Sequence, residues 1–260
     1  MADSADRPTT RTRLESADLR AAWEANAADF IAFARTSDLH FVAYHRDAFL
    51  ELVPPPGRRT LDLGCGEGRL ARDLKGLGHD VIGIDASPTM LAAAREADPG
   101  LEAHLADAAA LPFENGAFDL VIAFMSLQDV DDLDAAVGEA ARTLEPGGRF
   151  CLAVVHPLSS AGEFESTEID SPFTITGSYL QPSYYADRIA RDGHELTLVS
   201  VHRPLQAYTG ALTCAGFVIE RVREIARPDH AITQPRHRRW QRLPLFLHIG
   251  AVKSGSTGSR

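Results

Sequence analysis

Residues 60–68 read Thr-Leu-Asp-Leu-Gly-Cys-Gly-Glu-Gly, a short apolar run broken by Asp62 that passes directly into a glycine turn. A run of that length, stopped by glycine, has the size of a buried strand. Helical spacing begins at Arg69 and lasts to Leu77. Strand, glycine turn and helix in that order form a unit whose backbone must turn tightly and lie against whatever the turn holds. The free N–H groups at the start of the helix face the same place, so the expected ligand is polar or anionic.

The rhythm repeats along the chain. Strands are expected at Asp80–Asp85, Leu101–Ala106, Phe118–Phe124, Phe150–Val155, Phe217–Ile225 and Leu245–Val252. Helices are expected at Ser87–Glu96, with Ser87 as cap and Pro88 at the first helical position, at Asp132–Leu144 and at Arg203–Ala215. Strands alternating with helices predict an α/β fold, a mostly parallel sheet between two helical layers. Two further helices, Ser16–Arg35 and His40–Leu52, precede a Pro54-Pro55-Pro56-Gly57 stop. The polar residues 1–15 read as a frayed tail. After Pro157 the alternation halts, and residues 158–202 carry turn residues and two strand-like runs, Pro172–Leu180 and His194–Val201. The expected organisation is a tail and helical cap over 1–56, a main domain over 57–253 with a lid insertion at 157–202, and a flexible Gly/Ser tail at 254–260.

Composition narrows the class. With 45% hydrophobic residues the 260-residue chain can bury a core without metals or disulfides. A net charge of −10 argues against a nucleic-acid-binding face. No apolar run approaches a membrane span, and the N-terminus has no apolar signal region. Cys65, Cys151 and Cys214 are too scattered for a metal site or a disulfide framework, which favours a reducing cytoplasm and no metal. The expected partner is a small molecule, not nucleic acid or membrane, and nothing indicates an oligomeric state.

The glycine turn also separates two cofactors. The dinucleotide fingerprint G-x-G-x-x-G requires glycine at position 69, which is Arg69; the third glycine falls one residue early, at Gly68. Asp62 sits where a negative charge would oppose a pyrophosphate and favour a cationic amino acid. Asp85, at the end of the second strand, can accept both hydroxyls of a ribose. S-adenosylmethionine combines those groups: an ammonium, a sulfonium and a ribose.

With LDLGCGEG at 61–68, VIGIDAS at 81–87, ADAAALPF at 106–113, FDLVIAFMSLQDV at 118–130 and LEPGGRF at 144–150, the chain resembles a class I S-adenosylmethionine-dependent methyltransferase of the small-molecule type. The resemblance covers about residues 57–253. It implies a Rossmann-like, seven-stranded sheet whose last strand is antiparallel. It also implies roles: Asp62, through the loop backbone and water, for the methionine amino group, with Gly64, Cys65 and Gly66 lining the cofactor. Asp85 would take the ribose, and Asp107 and the Ala108 N–H the adenine, with Ala86 and Met90 beside the adenine and Ser87 a further cofactor-binding residue. Phe124 and Met125 would flank the methionine portion, and Tyr44 is a further expected cofactor-binding residue.

Ligands of open α/β sheets sit beyond the carboxyl ends of the strands. Four segments converge there: the N-terminal helical pair with Tyr44, His45 and Arg46, the turn after the fourth strand, the lid and the loop before the last strand. Gln128, Tyr179, Tyr184, Tyr185, His202 and Arg239 are therefore expected to meet the substrate, with His156 or Asp129 as a general base. The expected activity is methyl transfer to an O, N or C nucleophile of a small, partly apolar metabolite. The alternatives are a methyltransferase fold turned to another reaction, such as a cyclisation, or a cofactor-binding module.

Overall fold

The computed structural model describes residues 10–36, 40–191 and 194–255. A short strand, β1 (Thr10–Leu14), leads into helices α1 (Leu19–Thr36) and α2 (His40–Leu50). The repeating units come next: β2 (Thr60–Leu63), α3 (Arg69–Gly76), β3 (Val81–Asp85), α4 (Pro88–Ala97), β4 (Glu102–Leu105), β5 (Phe118–Phe124), α5 (Leu133–Thr143) and β6 (Leu144–Val155). The next segment holds α6 (Pro157–Ala161), β7 (Gly162–Phe164), β8 (Phe173–Ile175), β9 (Ser183–Arg191) and β10 (His194–His202). The chain then returns to the main sheet with α7 (Leu205–Cys214), β11 (Phe217–Ile225) and β12 (Phe246–Lys253).

Seven strands form one sheet in the order β11-β12-β6-β5-β2-β3-β4. Pairing is parallel from β4 to β6, and β12 runs antiparallel to both β6 and β11. The two faces arise from period-two alternation. Val121 and Ala123 on β5, with Leu152 and Val154 on β6, pack under α5 and α7. Leu120, Ile122, Cys151 and Ala153 face α2, α3 and α4. Both faces are covered, which is why these strands read as nearly unbroken apolar runs. Helix starts are fixed locally: Ser87 Oγ accepts from Met90 N–H at 3.0 Å, and an Asp132 carboxylate oxygen accepts from Ala135 N–H at 2.9 Å.

The chain departs from expectation in four places, the smallest being the strand-like run Pro172–Leu180, which is a strand only over Phe173–Ile175. Thr10–Leu14, within the segment read as frayed, is a strand paired antiparallel to β9. Arg11 faces Asp187 in the register and grips it with two hydrogen bonds of 2.8 and 2.7 Å. The same guanidinium donates to the Ser159 carbonyl at 2.9 Å. Ser183–Arg191, read as irregular, is a full strand, and β1-β9-β10 make a second antiparallel sheet. Charged Asp187 and Arg188 interrupt its apolar pattern, and β1 lies far away in sequence. Finally, β6 starts at Leu144, through the Pro146-Gly147-Gly148 segment read as a stop, with an irregular register against β5 between Phe118 and Leu120.

Arg11→Ala removes the clamp between β1 and the rest of this small sheet. Amides of β1 and β9 should then exchange with deuterium faster, while β2, β5 and β6 keep their protection. Unchanged exchange in β1 would show that its backbone ladder suffices.

Candidate active site

One cavity of about 990 Å³ opens beyond the carboxyl ends of β2, β3 and β5. The turn after β2 forms part of its floor. Gly64 has φ +79°, and a Cβ there would stand 2.4 Å from the Ser126 Cβ, so position 64 admits no side chain. Ser126 Oγ donates to the Leu63 carbonyl at 2.6 Å, which holds the turns after β2 and β5 together.

Two carboxylates stand beside the glycine turn. Asp85 accepts from Gly66 N–H at 2.8 Å and from Ser87 N–H at 2.9 Å. Asp62 is 1% exposed, and among the described residues its Oδ2 has no hydrogen-bond partner. Burial, reinforced by the nearby Asp85 charge, pushes Asp62 up to about 7. Burial also lifts the Cys65 thiol well above its ordinary value, so that group is no thiolate nucleophile.

Across the cavity, Met125 holds φ +59° with its N–H donating to the Ala153 carbonyl at 2.8 Å. This unusual conformation turns the chain sharply at the end of β5. Arg203 secures the turn beyond it by donating to the Leu127, Val130 and Asp131 carbonyls. Asp129 thereby points into the cavity, held by Ser200 Oγ at 2.5 Å and the Gln128 amide nitrogen at 2.9 Å. Its burial outweighs these hydrogen bonds and raises it to about 7. Gln128 Oε1 is buried with no donor to accept from among the described residues.

The roof is one face of the small sheet. Tyr185, Asp187 and Ile189 of β9, with Leu196, Leu198 and Ser200 of β10, line the cavity at alternate positions. Trp23, Phe30 and Phe33 of α1 complete it. Glu24 ties α1 to the start of α4, accepting from Ser87 Oγ and Thr89 Oγ1, each at 2.5 Å. His45 of α2 is sandwiched between Phe124, at 4.7 Å between centroids, and Phe246, at 3.7 Å. Burial drives its pKa down, so it is a neutral wall of the cavity.

Comparison with known proteins places this arrangement. The methyltransferase domain family matches residues 61–152. Demethylmenaquinone methyltransferase from Thermus thermophilus is 41% identical over 127 residues, covering 46% of this chain and 56% of that protein. Its counterpart from Beutenbergia cavernae is 38% identical over 48% of this chain and 49% of its own. The matched stretch thus spans about half the length of these curated relatives. The crystal structure of an S-adenosylmethionine-dependent methyltransferase from Mesorhizobium loti is 30% identical, covers 79% of this chain and 96% of its own, and superposes with a TM-score of 0.67. The chain belongs to the S-adenosylmethionine-dependent methyltransferases. The residues around the glycine turn fit that family's cofactor: Asp62 offers a buried acceptor without a hydrogen-bond partner among the described residues, and the Gly64 turn leaves the backbone bare.

Within this methyltransferase, Asp62, Gly64, Cys65, Gly66, Asp85, Ala86, Ser87, Met90, Asp107, Ala108, Phe124 and Met125 all line the same cavity. Gln128, Asp129, Tyr185 and Arg239 line it too. Five sequence-nominated residues do not. Tyr44 packs behind the wall against Phe246, with its hydroxyl pushed up to about 12 by burial. Tyr184 precedes Tyr185 and so falls on the opposite face of β9. Tyr179 turns its hydroxyl to accept from Leu205 N–H at 3.2 Å. His202 is held by Ser160 Oγ at 2.7 Å and the Tyr179 carbonyl at 2.9 Å. His156 is likewise structural. Its Nδ1 accepts from Leu158 N–H at 3.0 Å, capping α6, and its Nε2 meets Glu224 at 2.9 Å. Both nitrogens are thus engaged outside the cavity. Missing from the sequence-based site are Trp23 and Arg11; apolar periodicity marked Trp23 only as a helix face, and the roof role of Arg11 had no local signal.

Between about pH 4 and 7 the folded protein retains a proton on Asp62 that the unfolded chain has released. This residue therefore subtracts stability as pH rises through that window. Asp62→Asn abolishes the titration, so the ligand-free variant should gain stability over wild type steadily from pH 4 to 7 in denaturant melts. A pH-independent difference would place the Asp62 carboxyl at an ordinary pKa.

Proposed function

We propose that this protein transfers the methyl group of S-adenosylmethionine to a nucleophile of a small, largely apolar molecule, and that a hydroxyl is the acceptor it suits best. The observation that carries this reading is the continuity of the cavity. The glycine turn with its carboxylates lies at one side, and an apolar chamber containing Asp129 and the unmet Gln128 Oε1 adjoins it.

Asp62 and the Gly64–Gly66 backbone would hold the amino-acid part of the cofactor. Asp85 would take the ribose hydroxyls, and Asp107 with the Ala108 N–H the adenine. Phe124 and Met125 would flank the methionine chain. When bound, S-adenosylmethionine supplies an electrophilic methyl carbon with a neutral thioether as leaving group. The protein's remaining work is to position the acceptor and manage its proton. Gln128 Oε1 would accept a hydrogen bond from the acceptor. Asp129 would receive the hydroxyl proton, since an acid raised to about 7 is half in its base form near neutrality. Trp23, Phe30, Phe33 and the β9–β10 face would exclude water and hold the apolar body. Among the described residues, no helix is long and apolar enough to cross a membrane. Buried free thiols at Cys65 and Cys151 are in keeping with a cytoplasmic setting.

Calorimetry should show S-adenosylmethionine and its demethylated product binding, and NAD not. Asp85→Ala should weaken binding by about 1.5–3 kcal/mol, the range for hydrogen bonds to a charged group. Saturable NAD binding without either methionine nucleoside would overturn the cofactor assignment.

Incubation with labelled cofactor and hydroxylated apolar acceptors should give products heavier by one methylene unit. For an accepted hydroxyl substrate, Asp129→Asn should lower kcat by about 10²-fold or more and remove the limb of the pH profile near 7. His156→Ala should keep kcat near wild type while lowering thermal stability through loss of the α6 cap. The reverse pattern would return the base role to His156.

A further inference from the structure

Several cations in the cavity wall have acidic partners. Arg11 is bound to Asp187, Arg69 to Glu67, and Arg46 to Asp47 and Asp73. Arg239 differs. Its Nη1 donates to the Ser166 carbonyl at 3.0 Å. Among the described residues its Nε is buried without a hydrogen-bond partner, and no carboxylate pairs with it. The charged neighbour that most affects it is a second cation, Arg236.

The edge left unused is the one bearing Nε, where a guanidinium meets a carboxylate through two parallel bonds. A buried donor with no acceptor is a cost that a bound anion removes. The group is also held in place beforehand. Its carbon lies 5.4 Å from the centre of the Phe164 ring, and that ring is wedged against Trp240 at 4.8 Å and Phe173 at 5.1 Å. Phe164, Trp240, Leu245 and Phe246 make the surrounding wall apolar. Glu163 and Glu165 stand in the same wall, which disfavours a doubly charged phosphate and leaves a singly charged, planar anion as the better fit.

We propose that Arg239 anchors a carboxylate of the methyl acceptor, so that the substrate class is an apolar carboxylic acid carrying its nucleophile away from the acid group. This rests on the methyltransferase reading only in naming the bound molecule an acceptor. Arg239 is thereby a specificity-determining residue that fixes which way round the molecule enters.

The test compares matched probes: 3-phenylpropionate, indole-3-acetate and dodecanoate, each beside its primary carboxamide, titrated by calorimetry into protein with and without S-adenosylhomocysteine. At least one acid should bind about tenfold or more tighter than its amide. In Arg239→Gln the preference should shrink to within about threefold, and Arg239→Lys, which keeps the charge but loses the fork, should fall between. S-adenosylhomocysteine affinity should stay the same in all three proteins. Equal binding of acid and amide in every pair, no binding of any acid, or a preference that survives in Arg239→Gln would overturn the proposal. If S-adenosylhomocysteine itself fails to bind, the methyltransferase reading falls, and the acid-over-amide comparison is read on the ligand-free protein.

Discussion

The cavity depends on how closely the chain leaves two neighbouring parallel strands. β2 and β5 end side by side, and the turns at their ends touch: Ser126 Oγ bonds the Leu63 carbonyl, and Gly64 lies so near Ser126 that no Cβ fits. That contact buries Asp62 beneath the turn and leaves its Oδ2 unmet. Its raised pKa is thus mainly a consequence of burial by this packing, with the Asp85 charge adding to it. The positive φ of Met125 belongs to the same constraint, because the chain must bend away at once for Gln128 and Asp129 to face the cavity. Strain and an unpaired carboxyl within one small region are costs that a ligand can offset.

The roof is attached differently. The central sheet is held by apolar packing on two faces, whereas the roof is joined largely by polar links of long sequence separation. Glu24 joins α1 to α4, Arg11 joins β1 to β9 and to Ser159, and Arg203 joins the start of α7 to the turn after β5. One apolar face of the β1-β9-β10 sheet looks into the cavity instead of into a packed core. A segment with less buried apolar contact opens at lower free energy than the sheet beneath it. Access for ligands is therefore expected through the roof, with the floor geometry preserved.

The parts legible in the sequence were those with short-range signatures. Parallel strands buried on both faces read as apolar runs, helix starts read from Ser87 and Asp132, and the glycine turn read from spacing alone. The roof was opaque because its order comes from pairing. Nothing near Thr10–Leu14 announces a partner in β9, and a strand carrying Asp187 and Arg188 looks irregular until those charges find Arg11 and solvent. Which of Tyr184 and Tyr185 faces the cavity is a matter of one residue in register. His156 was a positional choice: the end of a strand at the functional edge is where catalytic groups sit, but it is also where a following helix needs a cap, and the Leu158 N–H claimed the imidazole first.

The distribution of charge gives the cavity a direction. Asp62 and Asp85 make its floor beside β2 and β3 acidic, which suits a ligand with a cationic amino-acid group and ribose hydroxyls. Arg239, with Glu163 and Glu165 in the same wall, sets a guanidinium opposite that floor, and the space between is lined by aromatic and aliphatic side chains. Under the proposal for Arg239, a carboxylate would sit at that wall with the rest of the molecule extending toward Asp129. A cationic molecule would meet the opposite bias and compete for the acidic floor. Two ligands of unlike charge can thus occupy one continuous space without exchanging places, and the order comes from fixed side chains on opposite walls instead of from a partition between two pockets.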